Sequence, residues 1–124
     1  MSRILYGVSG EGAGHSSRAR EIVPHLLKGG HDVRLVSYDR GYRVLEPLFG
    51  CLAINGLHIV SINNRVRPWR TLLANFRRAR QALISVCRVH AEIRRFRPDV
   101  VITDFEPVTA WLARCHGLPL VSLD

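Results

Sequence analysis

The 124-residue sequence predicts an α/β domain, a Rossmann-like three-layer sandwich with a parallel sheet of about five strands and helices on both faces. Three observations carry this expectation. Short apolar runs alternate with helix-like segments along the whole chain. The runs are continuously apolar, as strands covered on both faces are, and do not alternate with polar residues. The first run leads directly into a glycine-rich turn and a helix, the order in which open α/β sheets build ligand sites at the carboxyl ends of their strands.

Each element follows from local signals. Residues 3–8 (Arg-Ile-Leu-Tyr-Gly-Val) read as a buried strand, and Ser9–His15 as a glycine-rich turn. A helix over Ser16–Lys28 has Ser16 or Ser17 as candidate caps, an apolar stripe of Ile22, Val23, Leu26 and Leu27, and Pro24 as a point of kinking. Gly29-Gly30 ends it. Val33–Ser37 reads as a second strand, Arg40–Leu48 as a short helix and Leu57–Ile62 as a third strand. After a basic loop over Asn63–Arg67, Pro68 opens a long helix that runs to Phe96 before Pro98. Val100–Thr103 is the fourth strand, Asp104–Glu106 a loop, Pro107–Cys115 a helix ended by Gly117, and Leu118–Leu123 the last strand. Right-handed crossovers favour the strand order 3-2-1-4-5, which makes the Ser9–His15 and Asp104–Glu106 loops neighbours.

Composition narrows the class. Apolar residues at 47 % and charged residues at 23 % exclude disorder, collagen and coiled coil as descriptions of the whole chain. There is no apolar run of about 18 residues and no apolar leader after Met1, so a cytoplasmic protein is expected. Cys51, Cys87 and Cys115 are odd in number and widely spaced, and read as small buried hydrophobes. Cys87-x-x-His90 and Cys115-His116 fit no zinc module, so no metal is expected. The net charge of +8 is concentrated: residues 65–97 hold ten arginines and one acid, Glu92, whereas the remaining chain holds eight basic and nine acidic groups. Such a patch suits a polyanionic partner. On the long helix, Leu72, Phe76, Leu83, Cys87 and His90 share one face by helical periodicity, expected against the sheet. Arg70, Arg77, Arg88 and Arg95 fall nearly opposite, either as a solvated face or as a contact for an anionic membrane with Trp69 as anchor. Nucleic acid is the weakest partner reading, because no binding motif is present and aromatics do not interleave with the arginines.

The turn Gly10-x-Gly12-x-Gly14-His15 is where chemistry is expected. Glycines there allow positive φ and close approach of backbone to a ligand, and the helix N-terminus suits an oxyanion or phosphate. The dinucleotide, P-loop and nucleophile-elbow patterns all fail, on His15, on the absent lysine and on Glu11. His15 at the sheet mouth has the chemistry of a general base for a hydroxyl. Asp104 is the adjacent carboxylate to orient it, with Glu106 in reserve. The plainer alternative makes His15 a helix-start residue and Asp104 a cap before Pro107. Asp39, after the second strand, reads as a turn residue or as a ribose ligand of a small nucleotide-binding protein.

The runs Ile4-Leu5-Tyr6-Gly7 and Gly10-Glu11-Gly12-Ala13-Gly14-His15-Ser16-Ser17-Arg18 resemble the opening of GT-B glycosyltransferases. The similarity is to UDP-glycosyltransferases, to the peptidoglycan N-acetylglucosaminyltransferase and to their microbial homologues. Leu26–Val33, Arg97–Asp104 and Gly117–Val121 continue it, and it is weakest from Gly50 to Phe96. The resemblance implies one half of a two-domain architecture, the acceptor-side domain, with residues 1–124 as a single unit and the donor-binding domain outside it. It implies an inverting sugar transfer from a nucleotide-sugar, with His15 as base or as a liner of the acceptor site. Asp104 would be its orienting partner, and Gly10, Gly12, Gly14 and Glu106 would lie on the acceptor side. No cofactor is expected within this chain, and activity is expected only with a donor-binding domain or subunit. The alternative is a non-catalytic module that docks on an anionic membrane or on a separate donor-binding subunit. Asp124 falls at the carboxyl end of a strand, which reads as a truncated chain.

Overall fold

In a computed structural model, which describes residues 1–55 and 68–123 (side chains from Phe76 onward in the second stretch), the chain alternates strand and helix throughout. The elements are β1 (Arg3–Val8), α1 (Gly14–Lys28), β2 (Asp32–Ser37), α2 (Asp39–Phe49), β3 (Leu52–Ala53), α3 (Pro68–Phe96), β4 (Val100–Asp104), α4 (Pro107–Cys115) and β5 (Leu120–Ser122). The sheet is parallel, with the expected order β3-β2-β1-β4-β5. The third place is taken by the two residues Leu52–Ala53, paired with Val36 and Ser37. The strand expected over Leu57–Ile62 lies outside the described residues.

Two apolar layers sandwich the sheet because successive strand residues point to opposite faces. Leu5, Val36 and Val101 pack with Val89 and Ile93 of α3 and Val108 and Leu112 of α4. Tyr6, Val8 and Leu35 pack on the other face with Ala19 and Val23 of α1 and Leu45 of α2.

The start of α1 differs from expectation. The helix begins at Gly14, with Ala13 as N-cap and no side-chain cap. Ser16 is inside the first turn, buried, and its hydroxyl donates to the Ala13 carbonyl at 3.2 Å. The helix continues through Pro24 to Lys28.

The face of α3 is also corrected. The buried stripe is Ser85, Val89, Glu92, Ile93 and Phe96, while Phe76 is 70 % and Leu83 63 % exposed and Cys87 is exposed. Apolar residues occupy two sides of this helix, and periodicity cannot choose between them. The buried side carries Val89, Ile93 and Phe96, and it also holds Ser85, whose hydroxyl accepts from the Asn55 amide at 2.9 Å and donates to the Asn55 carbonyl at 3.1 Å. That pair stitches α3 to the chain just after β3, and a serine so satisfied is acceptable inside. Consequently Arg77, Arg88 and Arg95 lie about 100–120° round the helix from Val89, beside the buried stripe and not opposite it. Cys115 is exposed too, so of the three cysteines only Cys51 is substantially covered, and burial pushes its thiol up to about 12.

Helix α4 is docked by two features. Its N-cap, Glu106, is buried and accepts from the amides of Val108 at 2.9 Å and Thr109 at 2.7 Å and from the Thr109 hydroxyl at 2.5 Å. A carboxylate at a helix N-terminus is favoured by the helix dipole. Thr109 in turn packs against Gly7 of β1 so closely that a Cβ on Gly7 would overlap its side chain.

Two stability predictions follow from this docking. Gly7→Ala forces Thr109 away from β1 and costs about 1–3 kcal/mol, whereas Gly14→Ala, whose Cβ would enter open space, changes stability by less than about 0.5 kcal/mol. Equal midpoints for the two variants in urea unfolding would contradict the packing argument. Glu106→Ala removes the acceptors of two buried amides and lowers stability by about 1–3 kcal/mol, read by the same method.

Candidate active site

Parallel register brings the carboxyl ends of β1 and β4 together: Val8 is paired with Asp104, and the Ser9 amide donates to the Asp104 carbonyl at 2.9 Å. The loop from Ser9 to Ala13 then turns into α1. Two of its expected glycines have distinct structural reasons. A Cβ on Gly10 would overlap the Tyr38 carbonyl, so the loop is pressed against the β2–α2 junction. Gly12 has φ +69°, the left-handed region that favours glycine. Gly14 needs neither freedom, and the space beside it is open. The Ser9 hydroxyl lies 3.1 Å from the Tyr38 hydroxyl and accepts from the Glu11 amide at 3.3 Å, which fixes the turn. Burial, ahead of the opposing hydrogen bond from Ser9, raises the Tyr38 hydroxyl and keeps it neutral.

His15 is the second residue of α1. Its Nδ1 lies 2.7 Å from Asp104 Oδ1, with His15 28 % exposed and Asp104 fully buried. Against an ionised carboxylate, which only accepts, Nδ1 carries the proton and donates, leaving Nε2 for another partner. Sequence reasoning placed these two residues together, and the structure joins them. It gives Glu106 a different place from the acceptor side: its carboxylate is turned inward to cap α4, because the buried amides of Val108 and Thr109 take both oxygens. Asp104 therefore serves the histidine, and Glu106 serves the helix.

Two neighbours were not singled out from sequence. Arg18, one turn after His15, places Nη1 3.2 Å from each Asp104 oxygen, donating a hydrogen bond to Oδ1 and making an ionic contact with Oδ2. The same nitrogen donates to the Leu123 carbonyl at 3.3 Å, so Arg18 bridges the ends of β4 and β5. Removing a carboxylate from water costs several kcal/mol unless it is paired, and Arg18 supplies the permanent charge that His15 alone does not. Its spacing of three residues from His15 was the available signal. Below them the Tyr6 hydroxyl is pushed up to about 12, first by burial and then by the Asp104 charge, with Arg18 opposing. Tyr6 thus stays a neutral phenol in the wall of the site.

Phe105 is the second. It has φ +57°, is 69 % exposed, and its ring stacks on His15 with centroids 5.9 Å apart and planes 22° from parallel. No pattern in the sequence marks it, because its place is set by the opposite directions of its two neighbours.

The remaining candidates lie elsewhere. Asp39 begins α2 with φ +48° and is exposed. His90 and His116 form a pair across α3 and α4, Nδ1 to Nε2 at 2.9 Å, but among the described residues no group of three His, Cys, Asp or Glu side chains could hold a metal ion. Arg77 and Arg88 are exposed, while Arg95 is held by buried Glu92 at 2.7 Å. The side chains of Trp69 and Arg70 lie outside the described residues. Among the described residues no helix is long and apolar enough to cross a membrane.

Comparison with known proteins agrees with this architecture. The chain is similar to the calicheamicin glycosyltransferase CalG4, with TM-score 0.65 and 18 % identity over 98 % of this chain and 32 % of that one. It is similar to SsfS6 of Streptomyces sp. SF2575 complexed with thymidine diphosphate, with TM-score 0.66 and 18 % identity over 98 % of this chain and 38 % of that one. It is also similar to SnogD of Streptomyces nogalater, with TM-score 0.60 and 21 % identity over 98 % and 35 %. The chain thus spans about a third of the length of these GT-B glycosyltransferases, and the likeness is one of fold. No curated protein matches the sequence. The sequence profile of glycosyl transferase family 1 matches residues 2–124, and with this Rossmann-like architecture the chain belongs to that family.

Proposed function

We propose that this chain is the acceptor-side domain of an inverting glycosyltransferase, which moves a sugar from a nucleotide-sugar donor to an acceptor hydroxyl. The observation that carries the proposal is the 2.7 Å contact between His15 Nδ1 and buried Asp104 at the mouth of the sheet. With Nδ1 committed to Asp104, Nε2 takes the proton of the acceptor hydroxyl as its oxygen attacks the anomeric carbon. The bond from that carbon to the phosphate oxygen breaks, and the nucleoside diphosphate leaves with the electron pair. Attack opposite the leaving group inverts the anomeric centre. Asp104 and Arg18 hold the imidazole in orientation and balance the cation that forms. The backbone of the Gly10–Gly14 turn faces the acceptor, and open space beside Gly14 leaves room for it. Glu106 contributes from behind the site by fixing α4. The nucleotide-sugar binds to a donor-side domain or subunit, and turnover requires both halves. That the SsfS6 neighbour was solved with thymidine diphosphate supports a nucleotide-linked donor.

A second reading, attachment to an anionic membrane surface, rests on one observation. Phe76, Leu83 and Ile84 are exposed on α3 among the exposed Arg77, Arg80 and Arg88. Apolar side chains in the company of arginines suit the headgroup boundary of an anionic bilayer. This role complements sugar transfer, since it would bring the site to a lipid-borne or membrane-associated acceptor.

In an enzyme assembled from this domain and its donor-side half, His15→Ala lowers kcat by about 10²–10⁴ and Asp104→Asn by at least about tenfold. Unchanged turnover of His15→Ala at saturating substrates removes His15 as the base. For the membrane reading, cosedimentation with vesicles containing phosphatidylglycerol is expected. It should weaken in high salt and be lost in the Arg77→Gln/Arg88→Gln/Leu83→Ser variant. Equal binding to neutral phosphatidylcholine vesicles would sink it.

A further inference from the structure

Phe105 pairs an unfavourable backbone with an uncovered side chain. For a bulky residue the left-handed region is unfavourable, and a ring so exposed recovers little by burial. The strain is imposed from both sides. Asp104 must point to His15 and Arg18, and Glu106 must point inward to cap α4. The turn between them is stiff. The Thr103 hydroxyl donates to the Glu106 carbonyl at 2.7 Å and accepts from the Glu106 amide at 3.3 Å, while Ser9 holds the Asp104 carbonyl. A glycine would satisfy this backbone at less cost. The side chain present is instead a flat ring, held by a rigid turn, with one side against His15 and the rest open to solvent at the site's mouth.

We infer that Phe105 is an acceptor-binding residue: its exposed ring is a platform for a flat, apolar ring face that carries or adjoins the reacting hydroxyl. This rests on the reading of His15 as the acceptor's base. A ring laid against the open part of Phe105 is held beside the imidazole, because Phe105 and His15 are themselves in ring contact. An alcohol on a flexible alkyl chain gains nothing from such a platform. The site therefore selects acceptors whose hydroxyl sits on or beside a ring. The ring face is either aromatic or the C–H face of a sugar, which share the stacking chemistry and differ in the probe that reveals them.

The test measures dissociation constants of two probes, 4-methylumbelliferone and methyl β-D-glucopyranoside, from the shifts of the His15 ring protons in NMR spectra of the protein. At least one probe is expected to bind, and which one does identifies the type of ring. Phe105→Gly is expected to weaken that probe by about tenfold or more while unfolding at the same or a higher temperature than the parent, since the strain is relieved. Phe105→Leu, apolar but not flat, is expected to weaken it similarly. Phe105→Tyr is expected to keep it within about twofold. Unchanged binding in Phe105→Gly overturns the inference, as does failure of both probes to move the His15 signals. In the parent protein, probe contact is also read from the Phe105 ring protons. His15→Gln with those shifts retained, and with turnover lost in the enzyme completed by its donor-side half, supports platform and base together. Retained shifts with retained turnover would dismiss the base and leave the platform standing.

Discussion

The carboxylate of Asp104 is fully removed from water, and much of the site's construction can be traced to the groups that make this tolerable. Register between β1 and β4 sets it at the sheet's carboxyl edge, beside the first turn of α1. The start of α1 delivers both of its partners, His15 and Arg18, three residues apart and therefore on one helix face. Arg18 also holds the carbonyl of Leu123, so the ion cluster ties α1 to the ends of two strands. If α1 started two residues later, at Ser16, His15 would sit in the loop and lose the fixed direction that the helix gives it.

The same carboxylate shapes the segment that follows. Asp104 and Glu106 are both buried and both acidic, yet their surroundings divide their work: a histidine and an arginine for one, helix amides and a threonine hydroxyl for the other. Two buried side chains flanking a single residue leave that residue no inward direction. Phe105 is consequently outward, left-handed and stacked on the imidazole. Strain of this sort persists where the surrounding hydrogen bonds over-determine the backbone, and it is commonly found at functional positions.

The opposite sheet face shows how a helix with two apolar sides is resolved. Hydrophobicity alone favoured Phe76, Leu83 and Cys87 as the buried side of α3. The protein instead buries Ser85, Val89 and Ile93, and the Ser85 hydroxyl is satisfied there by the backbone of Asn55. A polar anchor of this kind is invisible to periodicity, and it leaves apolar residues outside among arginines. That exposed combination, and not a simple basic face, is what distinguishes the outer side of α3.

The sequence by itself determined the fold class, the strand order, the close limits of most elements and the meeting of His15 with Asp104. These follow from short-range signals: apolar runs, glycine and proline at element ends, and a crossover rule that leaves one natural order. The resemblance to GT-B glycosyltransferases was legible too, through motifs in order along the chain, and it agrees with the match to glycosyl transferase family 1. Tertiary structure alone decided the inward turn of Glu106, the bridging role of Arg18, the exposure of Cys87 and Cys115, the buried face of α3 and the posture of Phe105. Each depends on a partner distant in sequence, such as Asn55 for Ser85 or Asp104 for Arg18, and local pattern carries no record of which buried polar group will be satisfied by which neighbour.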